Sequence, residues 1–146
     1  MSKEENDLFY TCSLIEYIAR KTLNTKKDII NIIGKDSVAR IYRLADVYHC
    51  ENIDKVSDEY IEKFNIQKGN YHFDNYKYRI PTYFEIGKVY ERLIVMVNPD
   101  PKEYVDTTVE VLTSWIIPKI DNYNSSMYYE NPQYIYACYK EGYILE

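Results

Sequence analysis

Five side chains are of the types that ligate metals or attack electrophiles: Cys12, Cys50, Cys138, His49 and His72. Structural zinc sites usually pair their ligands about two to four residues apart, and no cysteine pair here has that spacing. Cys12 falls on the inner stripe of a helical pattern, where a lone cysteine packs as a small apolar group. A Cys–His nucleophile needs the two side chains in contact and a third group to orient them, and nothing local supplies one. The four glycines, at 34, 69, 87 and 142, are too scattered for a phosphate loop. The 23 acidic residues fall mainly on helix faces expected to be solvated. They show no spaced carboxylate pair beside an apolar pocket signature. The expectation is therefore no catalytic residue, no metal site and no cofactor. The reading leans away from an enzyme, with a small enzyme whose site is invisible in the sequence as one alternative.

Tyrosine is the other chemistry-bearing type. There are 18, and seven lie in NYNSSMYYENPQYIYACYKEGY, residues 122–143. Three readings compete. Ile, Tyr, Lys and Asn are all abundant and all have A/T-rich codons, which suggests an A/T-rich bacterial genome. A structural reading places Tyr134, Ile135, Cys138 and Tyr139 on one inner helical face, with Asn122, Asn124, Ser125 and Ser126 supplying hydroxyl partners. The third reading is an interface, because tyrosine combines large area, few rotamers and a polar tip. Tyr128, Tyr129, Tyr136 and Tyr143 are the residues expected to bind a partner. The first two sit in a loop, and the last two are offset from the inner face.

Charge limits the partners. The net charge is −5 and evenly spread: residues 1–66 carry ten basic and twelve acidic side chains, and residues 67–146 eight and eleven. Neither half has the basic footprint of a nucleic-acid binder. Residues 26–49 do have helix-turn-helix proportions, with Gly34 in the turn. Lys35, Arg40 and Arg43 would be the DNA-facing cations, but Asp36 and Asp46 share their segment. An odd number of distant cysteines points to reduced thiols and a cytoplasmic setting. The charged N-terminus reads as no signal peptide, and the longest apolar runs, such as Leu93–Val97, are too short to span a bilayer.

The elements that position these residues read as helices. Ser2 with Glu5 forms a capping box that opens a helix carrying Leu8, Cys12, Ile15 and Thr22 inward. Thr25 and Asp28 open a short second helix stopped by Gly34. Asp36 caps a third, with Val38, Ile41, Tyr42, Ala45 and Tyr48 inside. A fourth buries Ile53, Val56, Tyr60 and Phe64. Residues 67–81 break the period and read as an ordered loop with an extended piece around Tyr76–Ile80. Thr82 with Glu85 opens the next helix. Asp100-Pro101 opens another, which Pro118 must kink or end because it removes a backbone donor and clashes with the preceding turn. Asn131-Pro132 starts the last helix, and Gly142 stops it. The predicted fold is an all-α bundle of about seven helices, as one compact unit or two closely packed halves. The expected division is a four-helix unit at 1–66, a connecting loop at 67–81 and a helical unit at 82–146.

Residues 7–63 resemble a family of small helical bacterial domains of unknown function. The resemblance rests on Ile15–Ala19 (IEYIA), on the IINIIGKDSVARIY stretch and on Tyr48-His49. Such domains are sometimes encoded beside ADP-ribosyltransferase-like proteins, so the resemblance implies a regulatory or toxin–antitoxin-like setting. It carries over no functional residue. The leading expectation is a non-enzymatic bacterial protein that binds a protein partner or itself. An antitoxin-like or DNA-associated regulator using residues 26–49 is the alternative.

Overall fold

The computed structural model describes residues 1–72 and 76–146. Its described residues form helices and connections without a strand. The eight α-helices are α1 (Lys3–Thr22), α2 (Lys26–Arg43), α3 (Ala45–Tyr48), α4 (Ile53–Lys63), α5 (Tyr83–Val97), α6 (Tyr104–Leu112), α7 (Ile117–Ile120) and α8 (Pro132–Glu141). The chain is the all-α bundle that the helical periodicity predicts.

The helix ends follow local chemistry. Ser2 and Glu5 form the reciprocal capping box of α1, and Thr82 and Glu85 that of α5. Asn131 and Pro132 start α8, and Gly142, left-handed at φ 89°, ends it. The expected stop at Gly34 is a sharp break within α2, at φ 80° and ψ 166°. That region is essentially restricted to glycine. α2 therefore runs as two helical pieces, and the helix expected from Asp36 is its second piece.

Helix α1 lies at the centre. It packs against α5 and α2; α2 packs on α6, and α5 on α6 and α8. Cys12, Leu14, Ile15 and Ile18 of α1 are fully buried against Ile29 and Ile41 of α2 and Ile86, Tyr90 and Ile94 of α5. At Gly87 a Cβ would lie 2.3 Å from Ser13 Oγ and 3.1 Å from Ser13 Cα, so the missing side chain sets how closely α1 and α5 approach. The core is thus shared by helices from both sides of the 67–81 loop.

That loop is tied to the end of α1. The Gly69 N–H donates to Thr22 O and the Tyr71 N–H to Leu23 O, both at 2.9 Å. The backbones are so close that a Cβ at Gly69 would meet Leu23 O at 2.5 Å. Tyr76–Ile80, expected to be extended, form bends and irregular chain. Phe73, Asp74 and Asn75, counted in that loop, lie outside the described residues. The helix expected to run up to Pro118 ends earlier. α6 ends at Leu112, residues 113–116 form turns, and Pro118 enters the first turn of α7.

Candidate functional site

The tyrosine-rich segment divides by the fate of its hydroxyls. On α8, Tyr134 donates to Leu145 O and Tyr139 to Glu110 Oε1 at 3.0 Å, and both rings are half-buried. Asn122, Asn124, Ser125 and Ser126 were the expected partners, but they are engaged elsewhere. Asn124 Oδ1 accepts the Lys77 N–H at 2.7 Å, Ser125 Oγ donates to Asn122 O, and Ser126 Oγ donates to Glu130. Ser125 thereby closes its own turn, while Asn124 ties the segment to the 76–80 chain.

The four rings expected to bind a partner have hydroxyls without a partner among the described residues. Tyr129 is 68% exposed and Tyr143 59%; Tyr128 and Tyr136 are half-buried. Only two of the four touch: the Tyr128 and Tyr129 rings stand edge to face with centroids 4.9 Å apart. Tyr123, fully buried behind them, makes a second edge contact with Tyr128 at 5.5 Å and fixes the pair to the core. The pair lines two clefts. One, of about 340 Å³, lies between α5 and α8 and is also lined by Val89, Arg92, Leu93 and Ile135. The other, of about 330 Å³, is also lined by Tyr78, which is 60% exposed, and by Arg79. Arg79 forms a two-pronged pair with Glu85 at 3.0 and 2.8 Å, which holds the Glu85 carboxyl down at about 2. Arg92 is exposed and has no ion-pair partner among the described residues.

The acidic residues require a correction. Glu16, Glu91 and Asp121 are buried, at 0%, 2% and 4% exposure, not set on solvated faces. Glu16 and Asp121 share one ammonium: Lys26 Nζ donates to Glu16 Oε1 and to Asp121 Oδ2, each at 2.5 Å. Arg20 Nε donates to the other Glu16 oxygen at 2.6 Å, and the Tyr90 hydroxyl to the other Asp121 oxygen at 2.6 Å. Lys26 Nζ also sits 4.7 Å from the centre of the Tyr90 ring. The result is a balanced quartet of two cations and two anions drawn from α1, α2 and α7's end, with Glu16, Lys26 and Asp121 buried and Arg20 half-buried. Burial pushes Asp121 above the usual carboxylate range; Lys26 opposes this and Glu16 adds to it. Burial acts on Glu16 in the same sense, but Lys26 and Arg20 override it and hold Glu16 low. Burial would lower Lys26, yet Asp121 and Glu16 raise it.

No family model, curated protein or solved structure matches the chain. The assignment of roles therefore rests on this geometry.

The remaining sequence candidates stay apart. Cys12 and Cys138 are buried, while Cys50 and His72 are exposed. Among the described residues no three His, Cys, Asp or Glu converge as metal ligands. In the segment 26–49, Lys26 is buried in the quartet and Lys35 pairs with Asp106 on α6. Among the described residues no helix is long and apolar enough to cross a membrane.

Two signals of the quartet were present in the sequence. Glu16 lies four residues after Cys12 and so on the apolar stripe of α1. Lys26 and Lys27 open α2, where the helix dipole disfavours cations, so a lysine buried there needs a compensating partner. Nothing in the sequence pointed to Asp121 as that partner, because the contact spans 95 positions.

Proposed function

We propose that the protein is a non-enzymatic binding module that seats a partner protein on the face built by α5, α8 and the 122–131 connection. The observation that carries this reading is the Tyr128–Tyr129 wall, exposed at its tip, anchored by Tyr123 and flanked by a cleft on each side. Interface hot spots are enriched in tyrosine and arginine held in well-packed surroundings. This face offers Tyr78, Tyr128 and Tyr129 with Arg79 and Arg92. The rigid Tyr123 support means that little side-chain entropy is lost on binding. Arg92, without an ion-pair partner of its own among the described residues, suits a carboxylate on the partner. The resemblance of residues 7–63 nominates a co-encoded ADP-ribosyltransferase-like protein as the first partner to test. The cations of 26–49 are partly consumed within the fold, which favours this face over duplex DNA.

The test places a photo-crosslinking residue at position 129 in the living cell, with position 59 as a control. The reading predicts one discrete protein adduct from 129 and none from 59. With that partner purified, Tyr129→Ala should weaken binding about thirtyfold, the loss expected of a hot-spot aromatic. Equal adducts from both positions, or an unchanged affinity in Tyr129→Ala, would reject the face. Adducts only to a second copy of the chain would replace the partner protein with self-association, which light scattering measures.

A further inference from the structure

A separate cavity lies on another part of the molecule and does not depend on the tyrosine face. Its volume of about 410 Å³ falls within the range of small-molecule sites. It exists because of two local breaks. α6 ends at Leu112, residues 113–116 turn, and Pro118 enters α7, which leaves Trp115, Ile117 and Pro118 along one side. The Gly69 strap holds Tyr71 on the cavity as well. The polar groups that line it are few: Thr25, Lys27, Thr113, Ser114 and Asp121.

Asp121 belongs to the buried quartet. A buried ion pair usually stabilises a fold no better than well-packed apolar residues of the same volume. Asp121 is the member of this set that lines the cavity, so its burial is better explained by what the cavity holds than by stability alone. The quartet is neutral as a set. Lys27 is exposed and forms no ion pair among the described residues; it and Asp121 are the two charged residues on the lining, and Asp121 is already bonded by Lys26 and Tyr90.

We infer that this cavity is a binding site for a flat aromatic molecule carrying one anionic group. Trp115, Tyr71 and Pro118 take the ring, and Lys27 with the hydroxyl-bearing rim takes the anion.

Trp115 is the only tryptophan in the chain, so its fluorescence reports the cavity directly. The experiment titrates the full chain with anilinonaphthalene sulfonate, an aromatic anion, and follows energy transfer from Trp115. Naphthoate and naphthyl phosphate then compete, which separates carboxylate from phosphate sources, and a cationic dye of similar size serves as the charge control. Saturable one-to-one transfer, displaced by at least one aromatic anion and not by the cation, is the expected result. Lys27→Glu, at an exposed position, should weaken the dye roughly three- to tenfold without moving the thermal midpoint of the free protein. Thr113→Phe should abolish transfer by filling the space. If Thr113→Phe fails to fold, Ser114→Met provides the same block. Absent or unsaturable transfer, tighter binding of the cation, or an unchanged affinity in Lys27→Glu would overturn the proposal.

Discussion

Replacing Lys26 with methionine removes the centre of the buried quartet while keeping most of its volume. Lys26 is 2% exposed, and its ammonium is bonded to two carboxylates that are themselves buried. Glu16 would keep Arg20, and Asp121 would keep the Tyr90 hydroxyl, but Asp121 would lose its only cation among the described residues. Breaking a buried pair by deleting one partner costs about 3–5 kcal/mol. Sharing between two acids pushes Lys26→Met toward the upper part of that range, and the surviving partners keep it from exceeding it. The assay is chemical denaturation at neutral pH, read as a shift in midpoint at constant slope. A pH arm sharpens the prediction. Without Lys26, the folded-state value of Asp121 rises further, because burial and Glu16 are then opposed only by the Tyr90 hydrogen bond. An acid raised on folding is a liability above its unfolded value, relieved as the pH falls through its folded one. Lys26→Met should therefore recover part of its deficit as the pH falls below neutrality. Adding Asp121→Asn should also cost less than the sum of the single changes, by about 0.5–3 kcal/mol. A loss below about 1 kcal/mol, or additive behaviour of the pair, would refute a shared buried ammonium.

Other consequences can be measured on the same footing. The Tyr10 hydroxyl is buried with no hydrogen-bond partner among the described residues, so Tyr10→Phe should raise stability by about 1 kcal/mol in the same denaturation assay. Gly34→Ala meets no atom within 4 Å, so its cost is purely conformational, about 1–3 kcal/mol. Gly87→Ala drives a Cβ into Ser13 and should cost a similar amount by overpacking the α1–α5 contact. Burial raises Tyr90 and Tyr123, and their acidic neighbours raise Lys26. Each contributes stability that is complete below its unfolded value and is lost as the pH rises toward the folded one. The denaturation midpoint should therefore be flat from neutrality upward and fall steeply above about pH 10.

The helices were legible because their ends are local events. A capping box such as Ser2 with Glu5 closes within four residues, and Gly34 and Gly142 act through their own dihedral angles. Pro118 was legible as a break, but not the length of chain it frees, because residues 113–116 are placed by packing on the rest of the bundle. The quartet was misread for the opposite reason. Asp and Glu are almost never fully buried without a partner, so solvated faces were the sound expectation until Lys26 was seen to reach both. Glu16 carried a trace of its position in its spacing from Cys12; Asp121 carried none. The tyrosines fall between these cases. Helical spacing separates Tyr134 and Tyr139 from their neighbours. Which hydroxyls are left over depends on Leu145 and Glu110, which only the folded chain brings near.

The most direct test of the binding face is an amide-exchange footprint of the protein with its isolated partner bound. The account predicts new protection in residues 85–93 and 122–135, with the 26–49 segment unchanged. Protection concentrated in 26–49, with 122–135 exchanging as in the free protein, would contradict it.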